Sequence, residues 1–361
     1  MTRSENLIRI FTPSDASAGN TNAQNLTVKE IVARLPEERF QVTMFSEGEA
    51  DPRIVVRKNT RLVKWTRRGN TVRLLRHCLF PPPDIYFFPR TGPLDRFFFD
   101  ARNRMRLKTA LVSYIVTAMN AETCRGMIRR SITEGDVVVG NSKYVGETIG
   151  QMCGVPARTI YDGIDRRYYF APPKRVVNHD PVVLYAGSFQ PRKRVEMVIQ
   201  QATRWPGLQF RLAGKGGTEE NCRELARQLG CGNVIFLGHL SSHQLGEEMR
   251  KADIFLFPSI LEGNPQVLLQ AAACGLPVIA MDLYHSDYVV SGKTGFLAAS
   301  DAELVEALDR LVGDTALQRS FSAAAVCHSD RFNWDDITQQ WARIFEEARA
   351  NRRINPRQKA S

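Results

Sequence analysis

The chain places one acidic residue, Glu262, in a loop between a strand-like run and a helix-like run. The run Ile254–Phe257 is short and apolar, and residues 258–280 continue as PSILEGNPQVLLQAAACGLPVIA. Pro265 and Gln266 open the helix-like run, where Pro is tolerated and where the unpaired backbone N–H groups favour an anion. The stretch therefore predicts a ligand site at which a carboxylate and an anion-favouring helix start face the same space.

Three consecutive cations, Arg192, Lys193 and Arg194, lie at a second predicted helix start. They follow the strand-like run Val182–Ala186 and the turn residues Gly187-Ser188-Phe189-Gln190-Pro191. Cations are unfavourable at a helix N-terminus unless an anion offsets them, and a bound diphosphate would do so. The alternative interpretation is a solvated basic turn.

Two further loops follow predicted strands. Residues 214–217, Gly-Lys-Gly-Gly, come directly after the run Phe210–Ala213, although an isolated glycine cluster is more often an ordinary turn. Residues 14–21 separate the first predicted strand from the first predicted helix. This loop could present backbone N–H groups to a phosphate, or it could be a flexible turn.

The elements that must position these loops form two halves in which strands and helices alternate. From residue 182 onward, short apolar runs alternate with helix-length segments, which indicates a parallel sheet covered on both faces. The first half shows the same alternation less regularly, beginning with a predicted strand at Leu7–Phe11. We therefore predict two doubly wound α/β units with a join near Pro172, and ligands at the carboxyl ends of their strands.

Composition limits the class of protein. Of 361 residues, 43% are hydrophobic and 24% are charged, which is typical of globular chains, and no apolar run approaches the roughly 20 residues that span a bilayer. The first apolar patch is broken by Arg9, which argues against a signal peptide. The seven cysteines include no C-x-x-C pair, so we expect reduced thiols in a cytosolic protein.

Together these segments resemble the family-4 retaining glycosyltransferases of the GT-B fold, from about residue 5 to residue 348. That family carries a Glu, seven residues and a second Glu inside a P-S, E-G and C-G-x-P-V frame. The frame is matched by Pro258-Ser259, Glu262-Gly263, Cys274-Gly275 and Pro277-Val278. Supporting matches are Asn141-Ser142, Asp162-Gly163-Ile164-Asp165, Tyr185-Ala186-Gly187, Gly214-Lys215-Gly216, Phe236-Leu237-Gly238 and Gly292-Lys293-Thr294-Gly295-Phe296.

The resemblance implies an α/β GT-B architecture of two facing Rossmann-like doubly wound domains with an interdomain cleft. The implied domains are an acceptor-binding domain over residues 1–172 and a nucleotide-sugar-binding domain over residues 173–330. Residues 331–361 would form a helix that crosses back to the first domain, followed by a tail. In that segment Trp334, Ile337, Trp341, Ile344 and Phe345 recur at helical spacing, which predicts one buried face.

The resemblance also implies a role for each matching residue. Glu262 would accept hydrogen bonds from hydroxyls of the donor sugar, and Lys193 would neutralise the diphosphate leaving group. Gln270 would face the nucleotide ribose, and Gly19 would approach the diphosphate from the first domain. The implied donor site further includes Ser188, Arg192, Arg194, Gly214, Lys215, Gly263, Asn264, Pro265, Gln266 and Val267, with Gly238, His239 and Leu240 flanking the base.

The chain departs from the family pattern at three points. Gln270 replaces the second Glu, although an amide can also hydrogen-bond a ribose hydroxyl. Ser188 stands where the family usually has Arg, which leaves Lys193 with Arg192 or Arg194 to carry the phosphate charge. Residues 113–120 lack the family's usual His. Retention can proceed by same-face attack in which the leaving phosphate oxygen takes the acceptor proton, so no general base is assigned.

The implied reaction transfers a hexose-type sugar from a nucleotide diphosphate sugar, with a UDP-sugar favoured over a GDP-sugar and no cofactor or metal. Preorganised cations and helix-start N–H groups would stabilise the charge that develops on the diphosphate. The chain has no Asp-x-Asp segment. Its close pair His239 and His243 straddles a loop-to-helix turn, which indicates surface or base-flanking residues rather than metal ligands.

The excess positive charge lies in the first half. Residues 1–170 contain 27 of the 49 Lys and Arg residues but only 17 of the 38 Asp and Glu residues. Residues 57–108 are basic and rich in aromatics, and Val72, Leu75, Leu79 and Phe80 give a short amphipathic stretch. In an acceptor-binding domain this pattern predicts contact with an anionic membrane. Alternatively, the phenylalanines at 97–99 are core and the arginines only a solvated face.

These features predict a glycan or lipid-linked acceptor in cell-surface polysaccharide or glycolipid synthesis. The protein would lie in the cytoplasm, peripheral at the inner face of the cell membrane. Two alternatives stay open, a soluble small-molecule or natural-product glycosyltransferase and a nucleotide-sugar-binding pseudoenzyme. A polyanion-binding protein is a remote alternative. No nucleic-acid partner is expected.

Overall fold

The computed structural model describes residues 7–19, 23–65, 79–88, 92–173 and 181–354. Its contacts divide the chain into unit 1, Met1–Gly163 with Trp334–Ser361, and unit 2, Ile164–Asn333. The join thus falls at residue 163 rather than near residue 172. The reason is that the Ile164 N–H already donates to the Phe332 carbonyl oxygen, at 2.9 Å, inside unit 2.

Unit 1 is built on a parallel sheet. Its strands are β1 (Ile8–Asp15), β2 (Phe40–Ser46), β3 (Thr60–Lys64), β4 (Ile85–Phe87), β5 (Ala110–Ile115), β6 (Val137–Gly140) and β7 (Arg158–Thr159). They are arranged in the order β3-β2-β1-β4-β5-β6-β7. All six residues of β5 are buried, as expected of a strand covered on both faces.

The helices of unit 1 cover this sheet. They are α1 (Ala23–Arg34), α2 (Pro52–Val55), α3 (Pro93–Arg104), α4 (Gly126–Thr133) and α5 (Lys143–Cys153). The rings of Tyr86 and Phe98 stack with centroids 4.1 Å apart in the core. The last helix of the chain, Trp334–Ile354, also packs in unit 1, where the Trp341 ring lies 5.0 Å from Phe87 and 4.9 Å from Tyr114.

Unit 2 repeats the parallel α/β plan. Its strands are β8 (Val182–Ala186), β9 (Gln209–Ala213), β10 (Val234–Gly238), β11 (Ile254–Phe257), β12 (Val278–Met281) and β13 (Gly295–Ala298). A 3₁₀ turn at Pro191–Lys193 precedes α6 (Val195–Arg204), α7 (Glu219–Gln228), α8 (Ser242–Lys251), α9 (Gln266–Ala273), α10 (Asp301–Gly313) and α11 (Thr315–Ser329). The strand order is β10-β9-β8-β11-β12-β13. The prediction of two parallel doubly wound units is therefore confirmed.

The order of the strands brings two of the predicted site loops together. Strands β8 and β11 are neighbours although two strands and three helices separate them along the chain, with Val183 paired to Ile254 and Leu184 to Phe255. The chain leaves β8 toward one side of the sheet and β11 toward the other. The carboxyl ends of such a pair form the crevice at which doubly wound sheets bind ligands.

Two features of unit 1 differ in detail from the sequence prediction. Strand β1 extends to Asp15 rather than ending at Phe11. Of the three consecutive phenylalanines in α3, Phe98 and Phe99 are fully buried, whereas Phe97 is 45% exposed. One face of this helix therefore belongs to the core, while Phe97 lies on its exposed face. Within the described ranges, no helix has the length and apolar character that crossing a membrane requires.

Candidate active site

Glu262 lies in the loop after β11 and is held at one of its two oxygens. Its Oε1 accepts hydrogen bonds from Arg192 Nη1 at 2.8 Å, from Ser259 Oγ at 2.5 Å and from Lys193 Nζ. In the described part of the chain no side chain or backbone N–H donates to the other oxygen, Oε2. The carboxylate is thus fixed in position while one oxygen stays available to accept further hydrogen bonds.

Lys193 is a buried cation whose charge depends on Glu262. The residue is 8% exposed, and its Nζ lies 4.8 Å from the centre of the Phe257 ring. Burial lowers the pKa of the Lys193 ammonium, while the charge and the hydrogen bond of Glu262 oppose that shift. An ammonium in this setting gains from any additional anion that reaches it.

Arg192 connects the loop after β8 to the loop after β11. Besides its bond to Glu262, its Nη1 donates to the Leu261 carbonyl oxygen at 2.7 Å. The Arg192 carbonyl oxygen in turn accepts from the Ile260 N–H at 3.0 Å, and it lies 3.2 Å from Ser259 Oγ, whose single proton is donated to Glu262. Three hydrogen bonds therefore fix the relative position of the guanidinium and the carboxylate.

Arg194, the third cation of the basic run, points elsewhere. Its backbone is left-handed, with φ of 52°, and its guanidinium pairs with both carboxylate oxygens of Asp301 at the start of α10. The hydrogen bond from Arg194 lowers the pKa of Asp301. The structure therefore brings Arg192 and Lys193 to Glu262 and separates Arg194 from them.

The loops after β8, β9 and β10 approach one another so closely that glycine is required. Gly214 has φ of +140°, and a Cβ there would lie 1.8 Å from the Gly187 carbonyl oxygen. A Cβ on Gly216 would lie 2.2 Å from the Phe189 carbonyl oxygen. The Gly214 N–H also donates to the Gly238 carbonyl oxygen at 2.7 Å. These glycines are therefore needed for packing, whether or not a ligand binds beside them.

The helix α9 begins beside Glu262, as the sequence predicts. Pro265 precedes it and offers no side-chain hydrogen bond to the first turn. Gly263 and Asn264 are buried, and Asn264 Oδ1 accepts from Ser286 Oγ at 2.8 Å. Along α9, Gln266, Val267 and Gln270 are half-buried. The helix start can receive an anion next to the two cations of the Glu262 cluster.

Sequence reasoning assigned no role to several residues around Glu262. Ser259 is fully buried and donates to Glu262, and its place three residues before Glu262 in the same loop was the available signal. Tyr185 and Tyr284 are buried as well, and burial raises the pKa of both hydroxyls, with the Glu262 charge adding to the rise. After β12, His285 has φ of 42° and its Nδ1 lies 3.1 Å from Asp282 Oδ1.

The remaining predicted donor-site residues of unit 2 lie at the surface. Ser188 is half-buried, and its carbonyl oxygen accepts from Tyr185 Oη at 3.2 Å. Lys215 and His239 are exposed, and Leu240 is half-buried. His243 lies on α8, four residues after His239, and its Nδ1 is 3.9 Å from Glu247 Oε2. The described residues include no group of three or more His, Cys, Asp or Glu side chains that could hold a metal ion.

In unit 1, the loop after β1 uses most of its backbone N–H groups internally. The N–H groups of Ala16, Ser17 and Ala18 donate to Phe45 O, Asp15 Oδ1 and Glu49 O, at 2.7, 3.0 and 2.8 Å. Gly19 is exposed. The described part of this loop is therefore a braced turn, and only Gly19 retains the open position that the sequence assigns to a phosphate contact. Residues 20 and 21 lie outside the described ranges.

Comparison with known protein families finds a match within unit 2. Residues 171–326 match the family model described as glycosyl transferases group 1. This segment contains the complete Glu262 cluster. The resemblance predicted from the sequence is therefore confirmed.

Two curated relatives match part of the chain. Over 179 residues it is 36% identical to an exopolysaccharide phosphotransferase of Streptomyces coelicolor, a match covering 47% of this chain and 19% of that protein. Over 196 residues it is 30% identical to a D-inositol 3-phosphate glycosyltransferase of Stackebrandtia nassauensis, covering 49% and 44% respectively. The chain thus spans less than half the length of each of these relatives.

Solved structures extend the likeness to almost the whole chain. The structure of Anabaena HepE in complex with UDP and glucose has a TM-score of 0.76 to this protein at 18% identity. The match covers 94% of this chain and 100% of that one. At this identity the likeness shows the fold, and the predicted GT-B fold is confirmed.

Proposed function

We propose that this protein is a metal-independent retaining glycosyltransferase. It moves a hexose-type sugar from a nucleoside diphosphate sugar to a glycan or lipid-linked acceptor in cell-surface polysaccharide or glycolipid synthesis. The observation that carries the proposal is the Glu262 cluster, in which two cations and a serine hydroxyl hold one oxygen of a carboxylate and leave the other unengaged.

The cations of the cluster suit the diphosphate of such a donor, and its carboxylate suits the sugar. Lys193, Arg192 and the start of α9 offer positive charge to a diphosphate. Glu262 Oε2 offers an acceptor to sugar hydroxyls a short distance away. A donor that carries both groups satisfies both halves at once, whereas a free sugar or a simple phosphate satisfies one.

Cleavage of the anomeric C–O bond leaves negative charge on the diphosphate and positive charge on the sugar. Fixed cations next to the leaving oxygen stabilise that charge separation, and such contributions are typically several kcal/mol. The acceptor oxygen then bonds to the anomeric carbon on the face that the diphosphate leaves. The leaving phosphate oxygen takes the acceptor proton, so the step needs no further base.

A UDP-sugar is the donor we favour. The structural neighbour from Anabaena binds UDP and glucose, which supports a uridine nucleotide on this fold. Gln270 on α9 is half-buried and lies about one and a half turns from Pro265, and we propose that it hydrogen-bonds a ribose hydroxyl. The charge that a diphosphate would meet is concentrated on Arg192 and Lys193, because Arg194 is committed to Asp301.

Two observations support the proposed acceptor: the names of the relatives and the surface of unit 1. The names of the two relatives, an exopolysaccharide phosphotransferase and a D-inositol 3-phosphate glycosyltransferase, support cell-surface or phosphorylated acceptors. Unit 1 carries most of the excess positive charge of the chain. Among the residues of unit 1 that the structure describes, five large apolar side chains are more than 40% exposed: Val55, Val56, Phe80, Phe97 and Met105.

These features support a peripheral position at the anionic inner face of the cell membrane. Exposed cations accompany the exposed apolar groups in the described part of unit 1: Lys58, Arg61, Lys64, Arg96, Arg104, Arg106 and Lys108. Basic side chains near an anionic surface contribute about 1 kcal/mol each. Val72, Arg73, Leu75 and Arg76 of the predicted amphipathic stretch lie outside the described residues, as do Arg67 and Arg68 of the basic stretch 57–108.

Incubation with a panel of UDP- and GDP-sugars tests the proposal. We expect nucleotide release from one UDP-hexose, faster with a lipid-linked acceptor, unchanged by EDTA, and giving a product with the anomeric configuration of the donor. A product of opposite configuration would contradict retention, and loss of turnover in EDTA would contradict metal independence. Tight nucleotide-sugar binding without any release would instead support the pseudoenzyme alternative.

A further inference from the structure

Two cysteine thiols that are distant in sequence meet in unit 1. The Sγ atoms of Cys124 and Cys153 lie 3.1 Å apart, although 29 positions separate the two residues. Cys124 is buried and Cys153 is half-buried. A disulfide bond requires an S–S distance of about 2.0 Å, so a movement of about 1 Å would bring the two sulfur atoms to bonding distance.

The thiol pair lies where two segments of unit 1 pack against each other. Cys124 lies in the loop between β5 and α4, and Cys153 is the last residue of α5. The same loop is held to α5 at a second point, where the Met119 N–H donates to Thr148 Oγ1 at 2.9 Å. The two sulfur atoms are therefore positioned by a fixed loop on one side and a helix end on the other.

The surroundings of the pair lower the thiolate fraction of Cys153 and so slow its reaction with an oxidant. Burial raises the pKa of the Cys153 thiol to about 11, Cys124 adds to the rise, and the charge of Arg129 opposes it. Arg129 Nη1 donates to the Met152 carbonyl oxygen at 3.3 Å, which places a cation beside the helix end that carries Cys153. Cys153 is the accessible partner, so an oxidant would meet it first.

We propose that Cys124 and Cys153 form an oxidation site, at which a low-molecular-weight disulfide converts the two thiols into one intramolecular disulfide. The Cys153 thiolate attacks the small disulfide, forms a mixed disulfide and releases one small thiolate. The Cys124 thiolate then attacks Cys153 Sγ and releases the second small thiolate. The protein loses two electrons and two protons, and the small disulfide is reduced to two thiols.

The linkage closes a loop that includes the whole of α4, β6 and α5. Closing this loop reduces the conformational entropy of the unfolded chain. The oxidised protein should therefore have a Tm roughly 5–10 °C higher than that of the reduced protein. The rate of formation should rise about tenfold per pH unit between pH 7 and pH 9, because the thiolate fraction grows in that range. This inference does not depend on the proposed transferase activity.

Oxidised glutathione added to the reduced full-length protein tests the site. We expect intact-mass spectrometry to show a loss of two hydrogens, non-reducing peptide mapping to show a cross-link between Cys124 and Cys153, and dithiothreitol to reverse both. Cys153→Ser should abolish the cross-link. Cys327→Ser, which removes an exposed thiol, should leave it intact.

Three outcomes would overturn the inference. One is a stable glutathione adduct on Cys153 that Cys124 does not displace. Another is a cross-link that involves a different cysteine, including Cys78, which lies outside the described residues. The third is a wild-type mass that does not change in oxidised glutathione at pH 9. Peptide mapping of the wild type decides between these outcomes even if the Cys153→Ser variant fails to fold.

Discussion

At the scale of single residues, Glu262 has a role in the protein before any ligand binds. Its Oε1 is the counterion of Arg192 and Lys193, and it helps to keep a buried ammonium charged. A bound diphosphate would offer the same two cations more negative charge. The proposed donor and Glu262 therefore compete for Arg192 and Lys193, although Glu262 is also the proposed ligand of the sugar.

The substitution Glu262→Gln is expected to tighten UDP binding several-fold, because the cations lose their internal counterion. Sugar transfer should fall by about 100-fold or more, since a neutral amide oxygen stabilises the developing positive charge on the sugar less well. Isothermal titration with UDP measures the first effect, and nucleotide release in the presence of acceptor measures the second.

Asp301→Asn is the matched control for Glu262→Gln, because it removes the carboxylate partner of the adjacent cation Arg194. It should change UDP affinity and transfer by no more than about twofold. Lys193→Ala should weaken UDP binding and slow transfer together. Equal losses of UDP affinity in Glu262→Gln and Lys193→Ala would show that Glu262 is not a counterion that competes with the diphosphate.

At the scale of elements, the loops at the carboxyl edge of the unit 2 sheet are packed backbone against backbone. The loop after β9 contacts the loop after β8 at Gly214 and Gly216, and it contacts the end of β10 at Gly238. A side chain at the first two positions would push these loops apart. The position of the basic turn at Pro191–Lys193 therefore depends on glycines in a neighbouring loop.

The substitution Gly214→Ala is expected to destabilise unit 2 by about 3 kcal/mol or more, because a Cβ would overlap the Gly187 carbonyl oxygen and φ of +140° strains any L side chain. Thermal unfolding measures the loss. Gly217→Ala is the control, since a Cβ there meets nothing within 4 Å. Equal melting temperatures for the two variants would contradict the proposed close packing.

In unit 1, the short helix α2 begins at a charged cap. Asp51 Oδ1 accepts from the Arg53 backbone N–H at 3.0 Å, and Asp51 Oδ2 accepts from Arg53 Nη2 at 2.8 Å. Burial alone would raise the pKa of Asp51, but the hydrogen bonds and charge of Arg53 lower it below the ordinary value of 3.8. A lowered pKa in the folded state means that ionised Asp51 stabilises the fold.

That stabilisation is present above about pH 4 and is lost as the pH falls through the lowered pKa of folded Asp51. Asp51→Asn keeps an acceptor for the cap but removes the charge. We expect it to reduce the free energy of unfolding by about 1–2 kcal/mol at pH 7 and by progressively less below pH 4. Urea unfolding from pH 7 to pH 3 measures the difference, and a difference that does not change with pH would rule out the ionic contribution.

At the scale of the whole molecule, the two units share a type of fold but differ in net charge. Both are parallel doubly wound sheets, yet residues 1–170 carry most of the net charge of +11. A parallel sheet does not require such a difference, and we propose that the excess charge of unit 1 serves to bind an anionic surface. Unit 1 is accordingly the unit that we expect at a membrane surface.

Vesicles of phosphatidylglycerol and phosphatidylcholine test that expectation. Wild-type protein should bind them at low salt and be released as the Debye length falls below about 8 Å. Reversal of Arg67, Arg68, Arg73 and Arg76 to Glu should reduce vesicle binding and transfer to a membrane-embedded acceptor. Hydrolysis of the donor in solution should be unchanged, because unit 2 is not altered.

The matched control reverses four exposed cations of unit 2: Arg227, Lys293, Arg319 and Arg331. It changes the net charge equally and should leave vesicle binding within about twofold of wild type. Similar losses in both variants would mean that only net charge matters. A wild type that ignores anionic vesicles at low salt would point to a soluble acceptor.

The sequence by itself determined the architecture and the location of the candidate site. Apolar runs such as Ile254–Phe257 and the helical segments between them are local signals, because burial of a strand or a helix face is written in consecutive residues. The rule that parallel sheets bind ligands at the carboxyl ends of their strands then places Glu262 and the basic run together. The predicted end of β1 at Phe11 and the predicted join near Pro172 were less accurate, because hydrogen bonds to distant residues set both positions.

Only the tertiary structure decided which of these residues meet. Arg192 and Arg194 are two positions apart, yet one pairs with Glu262 and the other with Asp301, because the left-handed backbone at Arg194 turns its side chain away. The contact between Cys124 and Cys153 likewise has no signal in the spacing of the cysteines. Partners of this kind are chosen by distance and direction in three dimensions, which local periodicity does not encode.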